Sequence, residues 1–168
     1  MESKEPIQQG LLDGTFAGRA DFQQLIRESI AQAAREGWRE MIWCDLTFED
    51  WPLGERAVID SLQAWSLGGR KLTLMAKRFD TLIATHHRFV NWRKQWDHII
   101  EARGVSSASE EEFPSVIWSP GWVMQRLQRD WCKGVAGAEP ARRLQTRELL
   151  ADWLGKSSPA FPASTLGL

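Results

Sequence analysis

The 168-residue sequence has no tyrosine, two cysteines and three histidines, and nowhere do apolar residues run on for the roughly 18 positions of a membrane span. Each shortage excludes something. Cys44 and Cys132 stand alone, without CxxC spacing, so a disulfide framework is not expected and a reducing compartment, the cytoplasm, is the natural setting. His86 and His87 are neighbours and would point about 100° apart on a helix, which is poor geometry for sharing a metal; neither a metal nor another cofactor is expected. Neither sign of charge is in excess: 21 basic residues face 22 acidic ones, for a formal charge of -1. The balance gives no pull toward a polyanion or an anionic bilayer. The basic pairs Arg70–Lys71, Lys77–Arg78, Arg93–Lys94 and Arg142–Arg143 are dispersed. Both nucleic acid and membrane are therefore disfavoured as partners. Neither GxGxxG nor GxxxxGK[ST] occurs, and Met1–Gln9 lacks the basic-then-apolar order of a secretory leader.

What is present suits one buried core. Hydrophobic residues make up 43% of the chain and ten are tryptophan. A single α/β domain over residues 19–154 is expected, with a flexible leader over 1–18 and a flexible tail over 155–168.

Asp21, with Gln24 three positions on, opens a helix carrying Phe22, Leu25, Ile26, Ile30 and Ala33, which Gly37 stops. Met41–Leu46 and Lys71–Ala76 read as strands, and a helix with Val58, Ile59, Leu62 and Trp65 on one face lies between them, ended by Gly68 and Gly69. A long helix is expected from Phe79 to Trp96, then short strands at Ile99–Arg103 and Val116–Trp118. Helices follow at Trp122–Lys133, with Val123, Leu127 and Trp131 inward, and at Pro140–Leu154. Strands alternating with helices predict a helix-covered, mainly parallel sheet of about four to five strands.

The long helix carries the most chemistry. His86, Arg93 and Asp97, spaced seven and then four positions apart, interrupt its apolar stripe of Phe79, Leu82, Ile83, Phe89 and Val90. Polar groups on a buried stripe must be paired, so a structural network is the preferred reading; a ligand site with His86 as acid, base or phosphate binder and Arg93 held by Asp97 is the functional one. Ligands in open α/β sheets bind beyond the carboxyl ends of strands, which adds Asp45, Lys77 and Arg78 as candidates for a phosphate ester or a zwitterion. Most tryptophans sit in apolar runs and read as core, whereas Trp51 in a loop and Trp92 with Trp96 one turn apart are candidates for an exposed interface. No catalytic residue is assigned.

From Phe22 to Arg103 the segments FQQLIRESIAQAAREG, MIWCDLTF, ERAVIDSLQAWSLGG, RKLTLMAK and HHRFVNWRKQWDHIIEAR follow in an order that resembles one half of the phospholipase D-like fold. The pattern is similar as well to a proteobacterial family of this type. The superfamily's HxKxxxxD signature is missing: His86 precedes His87 and Arg88, and the stretch beyond Arg103 reaches PSVIWSP with neither histidine nor lysine. The resemblance thus implies a degenerate half without phosphodiesterase chemistry. Because active members pair two such halves, it also implies a homodimer or another protein as partner. The reading that results is a non-catalytic binding or assembly module, with an enzyme or sensor for a small phosphorylated ligand as the alternative.

Overall fold

A computed structural model describes residues 10–163, so the first nine residues of the expected leader and the last five of the expected tail lie outside the described residues. The strands are β1 (Gly14–Phe16), β2 (Glu40–Asp45), β3 (Lys71–Ala76), β4 (Ile100–Gly104), β5 (Val116–Trp118), β6 (Val123–Gln128), β7 (Lys133–Gly137) and β8 (Ser158–Pro159). The helices are α1 (Arg19–Glu36), α2 (Arg56–Trp65), α3 (Asp80–Thr85), α4 (His87–Gln95) and α5 (Pro140–Gly155).

All eight strands form one sheet in the order β1-β7-β6-β5-β2-β3-β4-β8. Only β2–β3 and β3–β4 pair in parallel; the other five pairings are antiparallel. The mainly parallel sheet of four to five strands expected from the alternating pattern is therefore corrected to a mixed, mostly antiparallel sheet of eight.

The correction originates in residues 122–133. Val123, Leu127 and Trp131 recur at helical spacing, but Val123–Gln128 is extended and a 3-10 turn at Arg129–Trp131 reverses it into β7. Cys132 takes the left-handed conformation that completes the reversal, with φ of 48°. Leu127 and Trp131, expected inward, are exposed, at 66% and 69%. Close pairing needs a bare backbone at Gly134, where a Cβ would come within 2.6 Å of the Phe16 ring and 2.9 Å of Arg126 Cα.

The other elements follow local chemistry. Gly37 ends α1 in the left-handed conformation, its N–H donating to the Ala33 carbonyl. Pro140 sits in the first turn of α5, where its missing N–H costs nothing. The expected long helix is two: at His86 the backbone leaves helical geometry (φ −110°, ψ 64°), ending α3 and opening α4.

One face of the sheet, with Trp43, Leu72, Leu74 and Met124, packs against α1 to α4 through Phe22, Leu62 and Phe89. The other, with Ile42, Cys44, Met75 and Val123, is covered by Leu150 of α5 and by Val105, Ala108 and Phe113 of the loop after β4. β1 pairs with β7 in the segment read as leader, and β8 pairs with β4 in the segment read as tail, where Phe161 is buried.

Candidate functional site

The carboxyl ends of β2, β3 and β4 lie on one side of the sheet because these strands run parallel. β2 ends on Asp45, whose Oδ2 accepts the backbone N–H groups of Thr47 (3.2 Å) and Phe48 (2.8 Å). These bonds form a tight side-chain turn and hold Phe48 at its positive φ of 62°. Asp45 Oδ1 accepts the Ser115 hydroxyl at 2.7 Å and Nη2 of Arg126 at 2.8 Å.

Arg126 reaches this point from the middle of β6. Its Nη1 donates to Asp50 Oδ2 at 2.8 Å, its Nε to Ser115 Oγ at 3.1 Å, and its guanidinium carbon stands 4.1 Å from the centre of the Phe22 ring. The side chains of Arg126 and Asp45 are 1% and 3% exposed. Burial works against the guanidinium charge, but Asp45, Asp50 and Cys132 outweigh it and raise its affinity for the proton above the ordinary arginine range. The pair is thus a buried ion pair at the sheet end, with every guanidinium nitrogen of Arg126 hydrogen-bonded.

Beside this centre opens a cleft of about 700 Å³, between the loop after β4 and the turn joining β6 to β7. Leu46, Phe113 and Arg126 line it, together with Glu110 and Glu111 on the loop side and Gln128 to Trp131 on the turn side. Lys77 and Arg78 sit at the same end of the sheet and fasten the loop. Lys77 Nζ donates to the carbonyls of Ser106 (2.6 Å) and Ala108 (2.8 Å), and Arg78 faces Glu110 at 3.5 Å.

The remaining candidates lie elsewhere. His86 is half-buried, with Nε2 3.2 Å from the Phe48 carbonyl; burial lowers its proton affinity, and that contact opposes the effect. Arg93 is buried, its Nε and Nη2 donating to the Phe161 carbonyl at 3.2 and 3.0 Å and its Nη1 to Asp97 at 2.7 Å. It anchors the segment that follows α5. Trp92 and Trp51, read as an exposed interface, are instead 2% and 1% exposed, inside the aromatic cluster with Phe89, Trp43 and Phe48. Trp96 is partly buried and donates to Gln63 Oε1.

Asp45 thus belongs to the strand-end centre, while the His86, Arg93 and Asp97 trio serves helix termini and chain anchoring. Arg126, Ser115, Arg129 and Trp131 are not among the sequence-predicted site residues: all but Ser115 lie in the stretch whose apolar spacing is helical, and Ser115 carries no local signal.

Among the described residues no three metal-ligating side chains converge, and no helix is long and apolar enough to cross a membrane. No protein-family model and no curated protein matches the sequence. Seven solved chains match this structure, among them two named proteins. The archaeal chromatin protein TrmBL2, whose structure shows a novel mode of DNA binding, superposes with a TM-score of 0.64 at 11% identity over 95% of this chain and 57% of its own. Polyphosphate kinase from Porphyromonas gingivalis gives a TM-score of 0.48 at 14% identity over 88% of this chain and 24% of its own. The chain therefore spans little more than half of the first and a quarter of the second. The first likeness corrects the partner expectation: balanced net charge does not set nucleic acid aside when this fold occurs in a DNA-binding protein.

Proposed function

We propose that this domain is a non-catalytic binding module, and that its ligand is a small polar molecule taken up in the strand-end cleft. The observation that carries the reading is the state of the polar centre beside the cleft, which reaches its lining through Arg126. Asp45 accepts four hydrogen bonds and Arg126 is neutralised by Asp45 and Asp50, so neither has capacity left to act as base or nucleophile. Cys44 next to them is buried, and burial, followed by the charge of Asp45, pushes its thiol well above the ordinary range. A centre of this kind is suited to holding a cleft wall in shape. The degenerate phospholipase D-like reading of Phe22–Arg103 is compatible with this role, since that stretch holds the parallel β2 and β3 and all of β4 but Gly104.

An enzyme or sensor for a phosphorylated ligand built on His86, Arg93, Lys77 and Arg78 has less support. Arg93 and Lys77 already donate to backbone carbonyls, and His86 is committed to Phe48. Thermal-shift screening of amino acids, sugars, nucleotides and phosphate esters tests the proposal. Stabilisation by at least one class, lost in a cleft variant such as Trp131→Ala, is expected. Hydrolysis of bis(p-nitrophenyl) phosphate that Asp45→Asn abolishes would overturn it, as would no response to any class.

Nucleic acid is a second reading, favoured by the fold's likeness to a DNA-binding chromatin protein. Arg142 and Arg143 in the first turn of α5 and Arg147 at its middle are the residues it would use. Anisotropy titration of a labelled duplex across a salt series checks it: binding that weakens linearly in log–log form with salt, and further in Arg142→Ala with Arg147→Ala, supports it. Flat anisotropy at low salt removes it.

A further inference from the structure

The charges around the cleft are unequal in how they are satisfied. Arg126 is spent on two aspartates. Arg129 is not: among the described residues no carboxylate pairs with it, and its Nη1 and Nη2 donate only to the carbonyls of Glu110 and Phe113, at 3.3 and 3.4 Å. Its Nε is buried without any partner. Long bonds to neutral acceptors and an orphaned donor leave this guanidinium with most of its charge uncompensated, the condition in which an incoming oxyanion gains most.

Anionic groups face the same space. Asp130 lies next to Arg129 on the turn and pairs with no cation among the described residues, and Glu111 lies across on the loop, its carboxylate taking the Ser109 hydroxyl at 2.9 Å. Glu110 is partly balanced by Arg78 at 3.5 Å, in a pair largely open to solvent. Trp131 ends the turn with its side chain mostly in water. A phosphate dianion approaching Arg129 would meet this acidic rim, whereas a ligand carrying one anionic and one cationic group satisfies both walls and finds an aromatic surface beside them.

Resting on the binding-module reading, we infer that the cleft takes a small zwitterion of the amino-acid type. Its carboxylate sits on Arg129, its ammonium on the side of Asp130 and Glu111, and its body against Trp131. The acidic rim then acts as the selectivity element, excluding phosphate esters that Arg129 alone would attract.

Isothermal titration of the full chain tests this with L-lysine, L-phenylalanine and glycine betaine as zwitterions, and acetate, AMP and glucose 6-phosphate as anions. At least one zwitterion is expected to bind ten-fold or more tightly than every anion, and Arg129→Gln and Trp131→Ala to weaken it at least ten-fold. Asp130→Asn is expected to narrow the gap between zwitterion and phosphate ester. Trp131→Ala alters an exposed side chain and keeps the test intact if Arg129→Gln fails to fold. Binding of AMP or glucose 6-phosphate in preference to all zwitterions overturns the inference while leaving the binding module standing. Zwitterion binding unchanged in Trp131→Ala and Asp130→Asn overturns it too, as does silence from all six probes; the wider thermal-shift screen then judges the binding module separately.

Discussion

Arg126 Nη2 lies 2.8 Å from Asp45 Oδ1, a buried contact between residues 81 positions apart that joins the middle of β6 to the end of β2. It crosses the intervening strand β5, whose neighbour Ser115 donates to the same Asp45 oxygen and accepts from Arg126 Nε. Removing the cation leaves two carboxylates near one another with no buried counter-charge. Arg126→Met is therefore expected to lower unfolding free energy by about 3–5 kcal/mol, read from urea denaturation, whereas Arg19→Met, at the exposed end of a 3.9 Å contact to Asp50, should change it by less than about 0.5 kcal/mol.

Gly134 should tolerate no side chain. A Cβ there would fall on the Gln125 carbonyl and against Phe16 and Arg126 Cα, two of the three being backbone that cannot swing aside. Gly134→Ala is expected to cost at least about 1–3 kcal/mol, while Gly121→Ala, with open space around it, should cost little; paired thermal melts give the comparison.

Arg93→Ala should free the chain around Phe161, since the guanidinium supplies two donors to that carbonyl and stacks 5.1 Å from that ring. Hydrogen exchange at Ala160, whose N–H bonds to the Ala102 carbonyl, should accelerate at least ten-fold while exchange in β2 changes far less. A loss of about 1.5–3 kcal/mol fits hydrogen bonds from a charged donor.

His86 gives the fold a sensitivity to mild acid. Burial holds its proton affinity below that of the unfolded chain, so the unfolded state binds more protons as pH drops beneath the ordinary histidine value of 6.5. Its contribution to stability is complete above that value and is lost on acidification through it toward the lower folded value. The urea midpoint should fall between pH 7.5 and pH 5, and His86→Gln, which keeps a donor for the Phe48 carbonyl, should flatten the fall. An equal fall in both proteins would contradict the assignment.

The legible part of this fold was the part with continuous local signals. β3 matches its predicted bounds, and β2 and β5 follow from unbroken apolar runs; α1, α2 and α5 declare themselves through Gly37, the Val58–Leu62–Trp65 face and Pro140. The β6–β7 hairpin was hidden because Val123, Leu127 and Trp131 mimic a helical stripe, and because two glycines in β7 argue locally against a strand. Only the fold supplies the reason for them, in the close approach at Gly134. With the hairpin go Arg126 and Arg129, and hence most of the cleft lining; Asp45, Lys77 and Arg78 are legible from their places at strand ends. The pairing of Arg93 was anticipated from its position on an apolar stripe, but its chief acceptor, the Phe161 carbonyl, lies 68 positions away.

The outermost strands of the sheet are short, β1 with three residues and β8 with two. Each covers only part of the longer strand inside it, and Pro159 within β8 has no N–H to offer a newcomer. A foreign strand seeking to extend the array at either margin would find a brief and broken row of backbone groups, so the design guards against fibrous stacking without spending surface charge on it.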